Sequence, residues 1–132
     1  MRKATLERRL PRRPAAAQVA REAVGTLLPH EAPPEAAHDL ALVVTELVAN
    51  AVAHGHGRRL RLAVRADAER ALVEVTSRGR GVTAAGRPAS PEAESGRGLA
   101  LVSALSERWG VQEGPLGTSR VWAEVPLQRS AV

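Results

Sequence analysis

Three side chains that could take part in chemistry recur at helical spacing in one stretch of the chain: Glu46, Asn50 and His54. At about 100° per residue they fall within an arc of roughly 80°, and the small residue Ala53 lies beside them. A helix face that carries a carboxylate, a carboxamide and an imidazole could line a binding or catalytic site. The alternative is a helix whose polar residues simply face water, and this stretch alone does not separate the two.

The same stretch has an apolar stripe on the opposite side of the predicted helix. The stripe consists of Leu40, Val44, Leu47, Val48 and Ala51. The helical pattern begins near Pro34 or Glu35, with acidic residues early, where the helix dipole favours them, and it ends at His54 before Gly55. The sequence therefore predicts a helix over residues 34–54 that packs on one side and presents polar groups on the other.

Alternating and helical apolar patterns predict the remaining elements. We expect strands at residues 5–10, 59–66, 71–76, 109–112 and 119–125, and further helices at residues 14–28 and 99–108. The first strand is rich in arginine, which suits a sheet edge because charges discourage stray pairing. Short turns join strands that are neighbours in sequence, so the sheet should be mixed or mostly antiparallel, with the helices on one face. This is the α+β class, with a two-layer sandwich architecture.

Length and composition restrict the class of protein. A chain of 132 residues fits one domain over residues 1–132, with loosely ordered segments expected at residues 1–13 and 128–132. The sequence contains no cysteine, which excludes disulfides and thiolate metal sites and suits a reducing cytoplasm. We find no apolar run of about 18 residues and no signal-peptide pattern, so we expect a cytoplasmic protein that does not enter a membrane.

The net charge of +5 comes almost entirely from arginine, because Lys3 is the only lysine. Such a bias can reflect a GC-rich genome, and two Trp without Phe or Tyr give no aromatic platform for bases. We therefore regard nucleic-acid binding as the weakest of the candidate functions. The basic segment at residues 1–13 has two interpretations: an ordinary solvated edge strand, or a patch for an acidic partner.

Two glycine clusters follow the central helix. Ser77-x-Gly79-x-Gly81 comes after a predicted strand, and Gly96-x-Gly98-Leu99 opens a predicted helix. Residues 82–95 between them are rich in Gly, Pro, Ala and Ser and have no apolar period. A loop of this length and composition is typical of an active-site lid, and a plain disordered connector is the alternative.

Four motifs in this order resemble those of a known family. Glu46-x-x-x-Asn50, the two glycine clusters and Gly117-Thr118 resemble the N, G1, G2 and final threonine motifs of the GHKL ATPases, whose Bergerat fold occurs in gyrase and histidine kinases. The small size, the Arg-Leu-Pro opening at residues 9–11 and the runs at residues 45–52 and 95–102 look most like the anti-sigma-factor serine kinase branch. The similarity covers residues 6–127.

The resemblance implies a site for ATP and Mg²⁺. It makes Glu46 the catalytic base that takes a proton from a partner serine, and Asn50 the Mg²⁺ ligand. It assigns nucleotide binding to Asn50, Ala53, Ser77, Gly79, Gly81, Gly96, Arg97, Gly98, Leu99 and Thr118. In this assignment the second glycine cluster meets the phosphates at a helix start, the first lets the backbone approach adenine, and the threonine supplies a hydroxyl behind the base.

One position departs from the family pattern and bears on the function. Ser77 stands where the motif has an Asp that accepts a hydrogen bond from the adenine amino group, and losing that bond costs about 1.5–3 kcal/mol of binding. The resemblance implies a homodimeric ATP-binding regulator that binds a sigma factor or an anti-anti-sigma (STAS-type) protein and phosphorylates a partner serine. Ser77 leaves an alternative open, in which the chain is a non-catalytic partner-binding module that has lost strong ATP affinity.

Overall fold

The structure is a computed structural model and describes residues 3–28, 32–78 and 97–128. Along the chain these residues form β1 (Ala4–Pro11), α1 (Ala16–Gly25), α2 (Pro34–His54), β2 (His56–Ala66), β3 (Arg70–Arg78), α3 (Arg97–Leu105), β4 (Arg108–Glu113) and β5 (Thr118–Pro126). A single 3₁₀ turn at Pro115–Gly117 joins β4 to β5.

The strands form one sheet in the order β1-β2-β3-β5-β4, and each neighbouring pair is antiparallel. Two hairpins, β2–β3 and β4–β5, lie side by side, and β1 flanks the first of them. The predicted α+β sandwich is confirmed, with a sheet that is antiparallel throughout the described strands. The prediction that the first strand lies at a sheet edge is also confirmed.

The core lies between the sheet and the helices, and α2 is its central element. Alternation in β2 buries Leu60, Leu62 and Val64 and leaves Arg59, Arg61 and Arg65 on the other face exposed. The predicted stripe of α2 is buried against α1, α3 and the sheet. Each fully buried Leu or Val side chain contributes roughly 1.5–3 kcal/mol, so this stripe fixes where the polar side of α2 lies.

Helix α2 has 21 residues, and an 18-residue window of it has a mean hydropathy of 1.4, so it could cross a membrane by length and composition. It is not an uninterrupted apolar run, because Asp39, Glu46 and Asn50 lie within it. Seven residues of α2 are nevertheless buried within the domain, and the core helix of a globular protein meets the same criteria. The burial favours interpreting α2 as a core helix.

Several predicted boundaries differ from the structure, and contacts with neighbouring elements explain one of them. Helix α3 ends at Leu105 rather than at residue 108, because Arg108 pairs with Glu124 in the sheet and the Glu107 amide donates to the Glu124 carbonyl at 2.8 Å. Helix α1 is shorter than predicted at both ends. Strand β1 pairs with β2 along its length, so the expected loose order at residues 1–13 does not apply to Ala4–Pro11.

Candidate functional site

The polar side of α2 is open, as the sequence predicted. Glu46 and Asn50 are half-buried and Ala53 is exposed, while Leu47 and Ala51 on the other side are buried. Within the described part of the chain, the Glu46 carboxylate and the Asn50 carboxamide have no hydrogen-bond or ion-pair partner. A carboxylate and a carboxamide one helical turn apart are therefore both available to a ligand.

The C-terminal end of α2 lies directly over Ser77 on β3. Gly55 follows the helix in an extended conformation, and a Cβ atom added there would lie 2.5 Å from the Ala51 carbonyl oxygen and 3.0 Å from Ser77 Oγ. Glycine is required at this position because only a residue without a side chain allows so close an approach. Asn50 precedes Gly55 by five residues, or about 7.5 Å along the helix axis. The fold therefore brings the polar side of α2 and Ser77 to the same end of the domain.

Arg12 fixes this end of α2, and the sequence analysis did not single it out. Its Nη1 donates to the Val52 carbonyl at 2.8 Å and its Nε donates to the Gly57 carbonyl at 2.7 Å. The Val52 carbonyl belongs to the last helical turn, where carbonyls have no partner within the helix, and a cation there also suits the helix dipole. In the sequence, nothing distinguishes Arg12 from the neighbouring Arg13.

Two buried serines are paired across the sheet beneath the helices. Ser77 and Ser119 are directly paired between β3 and β5, with exposed fractions of 8% and 3%, and they are the buried polar residues of the described chain. Strand alternation places Thr118 on the other side of the sheet, and its Oγ1 donates to the Pro115 carbonyl at 2.9 Å. The hydroxyl that shares a face with Ser77 is thus that of Ser119, one residue after the predicted Thr118.

The second glycine motif lies where a helix begins, as predicted. Arg97 and Gly98 form the first turn of α3, and Leu99 is buried in the core against which α3 packs. Helix α3 contacts α2, so both helices belong to the same layer. The remaining predicted glycines, Gly79, Gly81 and Gly96, and the predicted lid at residues 82–95, lie outside the described residues.

A sequence profile described as a histidine kinase-like ATPase domain matches residues 10–121. The chain belongs to this family. The match runs from the end of β1 into β5, so it includes the polar side of α2, Ser77 and the start of α3. No curated protein matches the chain. The resemblance to the GHKL ATPases is confirmed, and family membership indicates an ATP-binding regulatory function.

The described residues of this histidine kinase-like ATPase domain fit a magnesium nucleotide. The part of the chain that the structure describes contains no cluster of three or more His, Asp or Glu side chains that could hold a metal. Mg²⁺ takes many of its ligands from phosphates and water, so a nucleotide-bound ion needs few protein ligands, and the Asn50 carboxamide oxygen is a candidate for one of them. The close approach at Gly55 places the Ser77 hydroxyl beside the end of α2, where Arg12 also donates to the Val52 carbonyl.

Proposed function

We propose that this domain binds ATP with Mg²⁺ on the polar side of α2 and phosphorylates a serine of a partner protein, as anti-sigma-factor kinases do. The observation that carries the proposal is the pair Glu46 and Asn50, half-buried, one turn apart and without partners among the described residues. The partners would be a sigma factor or an anti-anti-sigma (STAS-type) protein. The domain would act in the cytoplasm as a homodimer.

Each side chain of the pair has a separate role in this proposal. Asn50 would hold the metal through its carboxamide oxygen. When bound there, Mg²⁺ would supply positive charge that offsets the negative charge developing on the phosphates during transfer. Glu46 would accept the proton of the serine hydroxyl as its oxygen bonds to the γ-phosphorus and ADP leaves. Because no described group pairs with the Glu46 carboxylate, it is free to accept that proton.

The second candidate function is a partner-binding module without catalytic activity. Ser77 favours it, because a serine hydroxyl is shorter than the carboxylate of the family motif and carries no charge. Its Oγ lies against Gly55 and has no hydrogen bond within the described chain. ATP would then bind weakly or not at all, and the protein would act through its surfaces.

One pair of substitutions separates the two functions. Ser77→Asp should tighten ATP binding by about 1.5–3 kcal/mol, roughly ten- to a hundredfold, by restoring a charged acceptor. Glu46→Gln in that background should keep the affinity and abolish phosphate transfer to an anti-anti-sigma (STAS-type) protein, because the amide keeps the shape and removes the base. Affinity is measured by calorimetry and transfer with labelled ATP.

The control variants use the hydroxyl pair at the start of β5. Ser119→Ala removes the hydroxyl that faces Ser77, and Thr118→Val removes the one on the opposite side of the sheet. A fall in ATP affinity in Thr118→Val would support the hydroxyl that the family motif assigns to the nucleotide, and a fall in Ser119→Ala would assign that role to the hydroxyl paired with Ser77. If Ser77→Asp binds ATP no more tightly than the parent chain does, and its melting temperature is unchanged, the result would favour the partner-binding module over the kinase.

A further inference from the structure

The face of the sheet opposite the helices carries a large excess of arginine. We call it the open face and define it by the register of the five strands, which places eight arginines and three glutamates on it. These are Glu7, Arg9, Arg59, Arg61, Arg65, Arg70, Glu74, Arg78, Arg108, Arg120 and Glu124. Eight positive and three negative charges leave an excess of five, which equals the net charge of +5 of the whole chain.

The acidic side chains of the open face neutralise only part of this charge. Glu7 pairs with Arg61, and Glu124 pairs with Arg108. Glu74 pairs with Arg120 at 3.0 Å and lies 3.4 Å from Arg65. The hydrogen bond from Arg120 holds the pKa of Glu74 below its usual value, so this carboxylate stays charged near neutral pH. All three glutamates are therefore already engaged.

Three arginines remain without an ion pair in the described chain: Arg9, Arg59 and Arg78. All three are exposed, and together they line a shallow groove of about 510 Å³. Arg61, directly opposite Arg9 in the ladder, lines the same groove. Like charges directly opposite each other in a sheet are destabilising. An anion that enters the groove would therefore reduce the repulsion between Arg9 and Arg61.

We infer that the open face is a docking surface for an acidic segment of a partner protein, with Arg9, Arg59 and Arg78 as its anchoring residues. Carboxylates of such a segment match guanidinium groups in charge and in bidentate geometry. The open face also offers Trp122, whose ring packs on Gly110 and can contact apolar side chains of the same segment. This inference rests on the charges of the open face and not on nucleotide binding, although Ser77 and Thr118 also line the groove.

Two other occupants fit the charges less well. A second copy of the domain, placed face to face, would bring two surfaces of like charge together, which disfavours association. A nucleic acid carries a phosphate at every nucleotide and could not avoid Glu74 and Glu124, and it would find one aromatic ring rather than a stacking platform. A protein segment with interspersed carboxylates avoids both problems.

The test compares two variants with the same change in charge. The first, which we call the open-face variant, is Arg9→Gln/Arg59→Gln/Arg78→Gln, and it neutralises the anchoring residues. The control triple variant neutralises three exposed arginines outside the open face: Arg8, Arg13 and Arg21. The probe is a fluorescent peptide of about 12 residues that alternates Glu with Gly and Ser, and anisotropy measures its binding to the full-length chain. A peptide with Gln in place of Glu and a duplex DNA of similar length serve as comparison probes.

We expect the Glu peptide to bind the parent chain and the Gln peptide not to bind. Losing three exposed ion pairs with the peptide should lower the affinity of the Arg9→Gln/Arg59→Gln/Arg78→Gln variant about tenfold. The control variant should lose less than about twofold. Binding should also weaken as the salt concentration rises.

Equal losses of affinity in both variants, or no binding of the Glu peptide to the parent, would overturn the inference. Tighter DNA binding that is lost in the open-face variant would assign the surface to nucleic acid instead. A dimer of the parent that the open-face variant loses in sedimentation would assign it to a second copy.

Discussion

Replacing Arg12 by Met should loosen the end of α2 that carries the candidate site. Methionine keeps an apolar stem of similar length but removes the donors to the Val52 and Gly57 carbonyls. The hydrogen bond to the Val52 carbonyl is half-buried, and the charge of Arg12 there also interacts favourably with the negative end of the helix dipole. The hydrogen bond to the Gly57 carbonyl is exposed and contributes less to stability. Together they correspond to about 2 kcal/mol of unfolding free energy.

In a domain of this size, a loss of about 2 kcal/mol lowers the melting temperature by roughly 6–10 °C. Thermal unfolding followed by far-UV circular dichroism measures it, and urea unfolding gives the free energy independently. Arg12→Lys should fall between the parent and Arg12→Met, because a single ammonium cannot span both carbonyls as a guanidinium does. Loosening the last turn of α2 should also weaken ATP binding.

Arg13→Met is the matched control, because it makes the same chemical change at the next residue. Arg13 is exposed and its side chain has no partner among the described residues, so the control should change stability by less than about 0.5 kcal/mol. Equal melting temperatures for the two variants would refute the role given to Arg12, as would a loss at Arg12 that leaves ATP binding unchanged.

Two further substitutions test the packing and the charges of the domain. Gly55→Ala should destabilise the fold by about 1–3 kcal/mol in urea unfolding, since the new methyl group would lie 2.5 Å from the Ala51 carbonyl oxygen; an unchanged midpoint would contradict the close packing. Glu74 has a pKa lowered in the folded state, chiefly by the hydrogen bond from Arg120, so its contribution is present above the unfolded value near 4.5 and is lost as the pH falls through the folded pKa. Glu74→Gln should therefore show a shallower loss of stability on acidification than the parent, and identical slopes would exclude this contribution.

The fold was predictable because its apolar patterns are regular. Alternation in β2 and the stripe on α2 have clear periods, and burial follows both of them. The end of α3 was not predictable from its own pattern, because the pairing of Arg108 with Glu124 depends on a strand that comes later in the chain. Local sequence carries no information about such a partner.

The candidate site was predictable in its helix and less so in its sheet. Glu46 and Asn50 follow from helical spacing, whereas Ser119, which pairs with Ser77 in the sheet, was not among the predicted site residues. Thr118 and Ser119 are both polar and follow a turn, so neither marks the buried face by itself. Counting back in twos from the buried Val121 gives Ser119, so the alternation did contain the signal. Arg12 could not be found in this way, because its role comes from contacts with residues about 40 positions away.

The most direct test of nucleotide binding on the polar side of α2 is a calorimetric titration of ATP, with and without Mg²⁺, into the parent chain and Asn50→Ala. We expect the parent to bind ATP in a Mg²⁺-dependent manner and Asn50→Ala to lose that dependence. The variant should keep its unfolding free energy within about 0.5 kcal/mol, because Asn50 is half-buried and has no partner among the described residues. If Asn50→Ala binds Mg-ATP as tightly as the parent does, the nucleotide site is not where we place it.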